Sequence, residues 1–171
     1  MIKTDRLIVR KAIDTDITDV AEMRNSEFVL KYNGMAKLNL DQLKEMIVED
    51  SQNEYAFYIV EPIENKVIGS IYLNPDRLRH KVDSLCLSYY MNEKYAGKGY
   101  MSEALNAVID YIFSQTAIEI ISARVFKENK DSAKLLERLN FTYEGCIRKC
   151  VKGYNDIVYD DLLFSLFKEE R

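Results

Sequence analysis

Hydrophobic positions change their spacing between residues 84 and 113, from every second residue to every third or fourth. In residues 84–91, Leu85, Leu87, Tyr89 and Met91 alternate with the other positions, which predicts a strand buried mainly on one side. An apolar stripe with helical spacing follows and predicts an amphipathic helix. The members of this stripe are Met101, Ala104, Leu105, Val108, Ile109, Ile112 and Phe113. A one-sided strand therefore leads into an amphipathic helix.

The rest of the chain mixes strand and helix patterns in an irregular order. Strands are predicted over residues 6–10, 55–60, 66–73, 118–126, 141–151 and 157–167, with a hairpin turn at 61–65. Helices are predicted over 15–25, capped by Thr15-Asp16, over 41–50, and after the cap residue Asn129. In the second of these, the apolar residues are Leu43, Met46, Ile47 and Val48. We expect one α/β domain over residues 1–171, with a mostly antiparallel sheet of about seven strands and about four helices.

Composition narrows the class of protein. The 171 residues are 47% hydrophobic and 30% charged, as in ordinary globular domains. A net charge of −4 argues against a nucleic-acid partner, which would call for a basic surface. The chain has neither a signal-peptide hydrophobic region nor an apolar run of membrane-spanning length, so we expect no membrane partner.

The cysteines and the single histidine bear on location and chemistry. Cys86, Cys146 and Cys150 form no C-x-x-C pair and no disulfide framework, which favours a reducing, cytoplasmic setting. We expect Cys86 and Cys146 to be core residues on strands. His80 is the only histidine, and we expect it to be solvated and no metal to be bound.

Two glycines separate the one-sided strand from the helix, in the sequence Lys94-Tyr95-Ala96-Gly97-Lys98-Gly99-Tyr100-Met101. Glycine permits sharp turns and close approach of amide groups to a ligand. A helix start adds unpaired N–H donors and partial positive charge. These features predict a site for a diphosphate, although such a glycine pair can also make a tight loop and nothing more. A Walker loop and a dinucleotide fingerprint are both disfavoured, because Met101 and Ser102 stand where those motifs need other residues.

Several motifs along nearly the whole chain resemble the GNAT acetyltransferase superfamily, and most closely its branch of ribosomal-protein N-terminal acetyltransferases. Residues 94–99 resemble the acyl-CoA signature [RQ]-x-x-G-x-[GA], with Lys94 at its first position. Residues 4–10 resemble T-E-R-L-x-L-R, and residues 129–132 resemble N-x-x-S. Residues 140–145 resemble G-F-x-x-E-G with Asn140 in place of the glycine. Near the end, Gly153 precedes Asp156 and Asp160, neither of which has the spacing of the family's G-x-x-x-D.

The resemblance implies a GNAT-like fold and binding of acetyl-CoA. In this family a β-bulge near residues 89–91 splays that strand from the parallel strand at 120–126, and the exposed backbone pairs with the pantetheine arm. A backbone N–H near Met91 would stabilise the oxyanion. The implied cofactor contacts are Tyr90, Met91, Lys94, Tyr95, Gly97, Lys98, Gly99, Tyr100, Met101, Asn129 and Ser132.

The resemblance further implies N-acetylation of a primary amine. The tyrosine that many members use to protonate the departing thiolate is replaced here by Leu136. The branch instead suggests Ser132 as the catalytic donor, whereas the alternative is that Ser132 only caps a helix. Glu144 is either a base acting through water or a strand-end hydrogen-bond acceptor.

The acceptor is left open by the sequence. A protein N-terminus or a small amine is the leading interpretation, with polyamines and aminoglycosides as alternatives. A non-catalytic acyl-CoA sensor is an alternative of another class. Residues 25–39 are expected to form one wall of the acceptor pocket, and Tyr32, Tyr89 and Tyr90 are candidate wall residues. Both monomer and homodimer are compatible with the resemblance.

Overall fold

One sheet of eight strands organises the protein in the computed structural model, which describes residues 1–171. The strands are β1 (Ile2–Lys3), β2 (Ile8–Arg10), β3 (Ala56–Glu61), β4 (Lys66–Pro75), β5 (Ser84–Met91), β6 (Ile120–Phe126), β7 (Thr142–Lys152) and β8 (Val158–Phe167). Their order across the sheet is β1-β2-β3-β4-β5-β6-β8-β7. Only β5 and β6 run parallel. The expected mixed, mostly antiparallel α/β architecture is confirmed.

Five α-helices cover the sheet. They are α1 (Ile17–Arg24), α2 (Glu27–Leu30), α3 (Leu40–Gln52), α4 (Tyr100–Gln115) and α5 (Lys130–Arg138). The sequence pattern gave four helices and seven strands; α2 and β1 were missed because four and two residues are too short to show a period. No helix combines the length and the apolar character needed to cross a membrane.

The two faces of the sheet bury separate hydrophobic clusters. All seven residues of the predicted stripe on α4 are buried, and they pack with α5 and alternate residues of the central strands in a cluster of 27 buried residues. Neighbouring residues such as Tyr58 and Val60 point to the other face, where α1 and α3 complete a cluster of nine. Helices therefore cover both faces of the central strands, which explains why every residue of β3 is buried.

Two local expectations, on Asp16 and Cys146, are wrong, and α3 departs from its apolar pattern at two positions. Asp16 does not cap α1; its carboxylate accepts from the Ile13 N–H at 2.9 Å and pairs with Arg10 at 2.8 Å, since a 3₁₀ turn precedes the helix. On α3, Val48 is half exposed and Asp50 is buried in the core-facing row. Cys146 is exposed, because it faces outward on the edge strand β7.

The parallel pair at the centre of the sheet opens along its length. Pairing runs from Ser84 opposite Ile120 to Leu87 opposite Ala123 and then stops. Beyond that point β5 stays with β4 as far as Met91, and β6 stays with β8 as far as Phe126. The expected splay is confirmed. The expected β-bulge is not found in β5, whose register with β4 is unbroken; the strands separate because each follows a different antiparallel neighbour.

Candidate active site

A cavity of about 760 Å³ lies at the open end of β5. Four segments line it: residues 28–33 at α2, residues 89–91 of β5, the glycine loop with the start of α4, and residues 129–138 of α5. Nine of the eleven predicted cofactor residues are among its lining residues. These are Tyr90, Met91, Tyr95, Gly97, Gly99, Tyr100, Met101, Asn129 and Ser132. The topology therefore brings together segments that are more than 100 residues apart in the sequence.

Six consecutive amide groups at residues 97–102 donate no hydrogen bond within the protein. The first backbone hydrogen bond of α4 runs from the Glu103 N–H to the Gly99 carbonyl at 3.0 Å. Gly97 and Gly99 have φ angles of 73° and 81°, a region that costs other residues energy. A chain of free N–H groups at a helix start is a concave anion site. The glycine loop thus has the donors that a diphosphate needs.

The start of the chain braces this loop. Arg6 donates to the Lys98 carbonyl at 3.0 Å and forms a 2.7 Å ion pair with Glu103. Thr4 donates to the same carboxylate at 2.5 Å, and the Arg6 guanidinium lies 4.5 Å from the Tyr100 ring centroid. Burial raises the pKa of Glu103, but hydrogen bonds from Thr4 and Arg6 outweigh it, so the pKa lies below its ordinary value. The T-x-R-L opening therefore holds the first turn of α4.

The two loop lysines do not line the cavity. The Lys94 ammonium lies 3.2 Å from Glu22, and the Lys98 ammonium lies 5.5 Å from the ring centroid of Tyr95. Their side chains therefore lie outside the cavity lining, and their contact with the cofactor stays a prediction. Lys134 and Arg138, one turn apart on α5, line the cavity instead. Sequence reasoning missed them, although their i, i+4 spacing beside the N-x-x-S motif offered a signal.

Backbone groups of β5 are also directed toward the opening. The Asn92 N–H donates to the Ile68 carbonyl at 2.8 Å. Because bonded and non-bonded pairs alternate in an antiparallel ladder, Tyr90 bonds β4, whereas Tyr89 and Met91 turn their N–H and C=O groups to the other side. β6 has already diverged on that side. The Tyr89 and Met91 backbone groups therefore face the gap between β5 and β6, where no strand pairs with them.

Ser132 and Tyr89 form the closest hydroxyl pair in the cavity. Their oxygens are 2.6 Å apart. Asn129 caps α5, as predicted, by accepting from the Ser132 N–H at 3.3 Å, so the cap is Asn129 and the Ser132 hydroxyl is paired with Tyr89. Burial raises the pKa of Tyr89 to about 12, and the contact with Ser132 partly opposes this. Leu136 is fully buried.

The α2 end of the cavity has a different character. Phe28, Val29, Lys31, Tyr32 and Asn33 line it, which matches part of the expected wall at residues 25–39. The Lys31 ammonium lies 4.9 Å from the centroid of the Tyr32 ring. The Asn33 carbonyl accepts from the N–H of residue 154 at 2.9 Å, so the loop between β7 and β8 supports this wall.

Three acidic candidates lie outside the cavity. Glu144 is on the exposed edge strand, where its carboxylate accepts from the Ser165 hydroxyl. Asp156 is exposed and pairs with Lys152 at 2.6 Å. Asp160 accepts from the Lys149 N–H at 2.9 Å. None of the three is among the lining residues, so each has a local structural contact.

Known N-acetyltransferases are similar to this chain in sequence. A family model described as "Acetyltransferase (GNAT) domain" matches residues 6–142. The chain is 31% identical over 160 residues to [Ribosomal protein uS5]-alanine N-acetyltransferase of Escherichia coli, covering 84% of this chain and 79% of the relative. It is 30% identical over 176 residues to the uncharacterized N-acetyltransferase p20 of Bacillus licheniformis, covering 98% and 96%.

Solved structures share the fold. The crystal structure of a GNAT-family acetyltransferase from Bacillus anthracis matches with a TM-score of 0.88 at 25% identity, over 99% of both chains. The spermidine N-acetyltransferase of Vibrio cholerae, solved with CoA and spermine, matches with a TM-score of 0.83 at 18% identity, over 98% of each chain. At 18% identity, the second match shows a shared fold and nothing more.

Proposed function

The chain belongs to the GNAT family of N-acetyltransferases, and we propose that it transfers the acetyl group of acetyl-CoA to the free amino terminus of a peptide or protein. In this proposal the donor occupies the glycine loop and the open end of β5. The acceptor enters from the α2 end of the same cavity.

The observation that carries the donor half is the run of six free amides at residues 97–102. A diphosphate bound there would receive several charge-assisted hydrogen bonds together with the favourable end of the α4 dipole. Lys134 and Arg138 add formal positive charge to the same cavity. The pantetheine arm would then pair with the free backbone groups of Tyr89 and Met91, which sets the thioester beside the Met91 N–H.

The chemistry requires a neutral amine and a leaving group that can depart as a thiol. A lysine-type amine has a pKa near 10.4 and an α-amine near 8, so the α-amine sheds its proton at a cost lower by roughly 3 kcal/mol. A departing thiolate with a reference pKa near 8.5 benefits from a hydrogen-bond donor. Ser132, paired with Tyr89 at 2.6 Å, is our candidate for that donor, directly or through water.

The acceptor half is supported by the charge at the α2 end. Its one ionic lining residue is Lys31, among Phe28, Val29, Tyr32 and Asn33. A polyamine would bring two or more positive charges beside the Lys31 ammonium, whereas a peptide terminus brings a single amine and neutral backbone groups. The likeness to an alanine N-acetyltransferase supports the same choice.

A thiol-release assay tests the proposal. The protein is incubated with acetyl-CoA and each of four acceptors: peptides with a free N-terminus, the same peptides with a blocked N-terminus and an internal lysine, spermidine, and an aminoglycoside. We expect acceptor-dependent release of CoA only with the free N-termini. Release of CoA with only spermidine or only the aminoglycoside would show that the acceptor is of that class and not a peptide N-terminus. Tight CoA binding without release by any acceptor would favour the non-catalytic sensor.

A further inference from the structure

On the α1/α3 face of the sheet, a hydrogen-bonded path runs from the buried carboxylate of Asp50 through Tyr72 to Tyr90, and Tyr58 donates to the same carboxylate outside this path. Tyr58, Ser70 and Tyr90 lie directly opposite one another on β3, β4 and β5. Tyr72 lies two residues after Ser70 on the same face. Asp50 of α3 covers one end of the path and is 6% exposed. At the other end, Tyr90 lines the active-site cavity.

The hydrogen bonds along this path have a fixed direction. Tyr58 and Tyr72 each donate to Oδ2 of Asp50, both at 2.8 Å. A tyrosine has one hydroxyl hydrogen, and that of Tyr72 is directed to Asp50. In the 3.2 Å contact between the Tyr72 and Tyr90 hydroxyls, Tyr90 is therefore the donor. The Tyr90 oxygen keeps a free lone pair with which to accept a proton.

Asp50 is an unusual residue for the core it occupies. Burial of a carboxylate is costly unless it is compensated, and its compensation comes from two neutral hydroxyls. The ammonium of Lys11, whose charge acts on Asp50, donates to the carbonyls of Asn53 and Ala56 at 2.5 and 3.0 Å. Burial raises the pKa of Asp50, and the two tyrosine hydroxyls oppose that shift. The buried carboxylate thus forms two hydrogen bonds with neutral hydroxyls and lies opposite no cation within ion-pair distance.

Few charged groups lie around the path. Glu49, adjacent on α3, raises the pKa of Asp50, and Lys11 lowers it. Arg24 of α1 faces Tyr90 and acts to lower the pKa of that hydroxyl, although burial dominates and raises it. Arg24 itself donates to the carbonyl of Ala36 at 2.8 Å. No second carboxylate shares hydrogen bonds with the tyrosines of the path.

From this geometry we propose that Asp50 takes up the proton lost by the acceptor amine, through Tyr90 and Tyr72. The proposal rests on the acetyl transfer proposed above. The ammonium proton of the acceptor first passes to the Tyr90 oxygen, directly or through one water, while the Tyr90 hydrogen passes to Tyr72 and the Tyr72 hydrogen passes to Asp50. The neutral amine nitrogen then bonds to the thioester carbon, and the C–S bond breaks with its electron pair on sulfur. The second proton lost by the nitrogen matches the one that the sulfur gains through Ser132, and Asp50 returns its proton to solvent by the reverse route.

Tyr90 is the group that meets the substrate, whereas Tyr72 and Asp50 act through it. Asp50→Asn keeps the size of the side chain and an oxygen to accept from Tyr72, yet it cannot take up the proton. Tyr72→Phe interrupts the path at its middle. Tyr58→Phe is the matched control, because it removes the other 2.8 Å hydrogen bond to the same oxygen without interrupting the route to Tyr90.

The test is the pH dependence of kcat with a free-N-terminus peptide acceptor, from pH 6 to 9. In Asp50→Asn and Tyr72→Phe we expect kcat at pH 6.5 to fall about a hundredfold. The loss should shrink toward pH 9, where an α-amine with a pKa near 8 is already neutral. Tyr58→Phe should keep kcat within about threefold, with its acid limb moved to higher pH because a hydrogen bond that favours the carboxylate is lost.

Folding and donor binding are measured on the same samples, by thermal melting and by CoA calorimetry. Should Asp50→Asn fail to fold, Tyr72→Phe and Tyr90→Phe carry the test. A wild-type pH profile in Asp50→Asn and Tyr72→Phe, or an equal loss of kcat in Tyr58→Phe, would overturn the proton relay but not the proposed acetyl transfer. Absence of turnover by the wild type with every acceptor would overturn the proposed function and the relay with it.

Discussion

Arg6 and Glu103 form a 2.7 Å ion pair across 97 residues of sequence. The pair joins the segment between β1 and β2 to the first turn of α4, and Arg6 also donates to the carbonyl of Lys98 inside the glycine loop. Arg6 belongs to the motif at residues 4–10, and Lys98 belongs to the glycine motif at residues 94–99. The first motif therefore supports the loop formed by the second.

Arg6→Ala should weaken CoA binding by about three- to tenfold, or roughly 1 kcal/mol, because the loop would lose a charge-assisted brace. Isothermal titration calorimetry measures the effect. The control is Arg171→Ala, which breaks an ion pair of equal length between Arg171 and Asp110 farther along α4. Equal weakening in both variants, or none in Arg6→Ala, would contradict a specific brace.

Gly97→Ala should also weaken CoA binding. A Cβ at Gly97 meets nothing within 4 Å, so the penalty comes from the φ angle of 73°, which costs a residue with a Cβ about 1 kcal/mol or more. Gly34→Ala is the control, since its Cβ would make an ordinary 3.5 Å contact with Val151 and its φ is not in the left-handed region. The comparison is made by calorimetry on folded protein. Unchanged affinity in Gly97→Ala would speak against this loop as the diphosphate site.

Ser132→Ala should lower kcat about tenfold or more while CoA affinity stays close to that of the wild type, because a leaving-group donor acts in the transition state. Tyr89→Phe removes the partner hydroxyl at 2.6 Å and should lower kcat less. Steady-state thiol release and calorimetry provide the two readouts. A wild-type kcat in Ser132→Ala would eliminate the serine as donor.

Acid should loosen the contact between α1 and the turn after β5. Hydrogen bonds from Lys66, Asn92 and Lys94 hold the pKa of Glu22 at about 2, below its ordinary value of 4.5. A depressed pKa contributes stability that is complete above the unfolded value and is lost as pH falls through the folded value. Between pH 4.5 and 2, Glu22→Gln should therefore lose less thermal stability than the wild type. Parallel slopes of melting temperature against pH would refute this role.

Structural features that depend on residues close together in the sequence could be predicted. The stripe on α4 and the conformation of Gly97 and Gly99 follow from helical period and from the absence of a Cβ, so both could be predicted from the sequence. The contacts that side chains make with distant parts of the chain could not be predicted. Lys94 lies beside Glu22 because α1 packs next to the loop, and sequence spacing contains no information on that contact.

Long-range register explains the remaining differences. The Tyr89–Ser132 pair joins residues 43 positions apart, and it forms only because β5 and α5 converge on one cavity. Asp50 stands at the i+7 position of the apolar row that begins at Leu43, where the helical spacing indicates the core but the carboxylate indicates the surface. The hydroxyls of Tyr58 and Tyr72 make its burial possible.

Amide hydrogen exchange, followed by mass spectrometry with and without CoA, tests the diphosphate site most directly. The amides of residues 97–102, which donate no hydrogen bond within the protein, should become strongly protected when CoA binds. Pantetheine, which lacks the diphosphate, should leave them unprotected. Protection by CoA at other segments, with residues 97–102 still exchanging freely, would contradict the assignment.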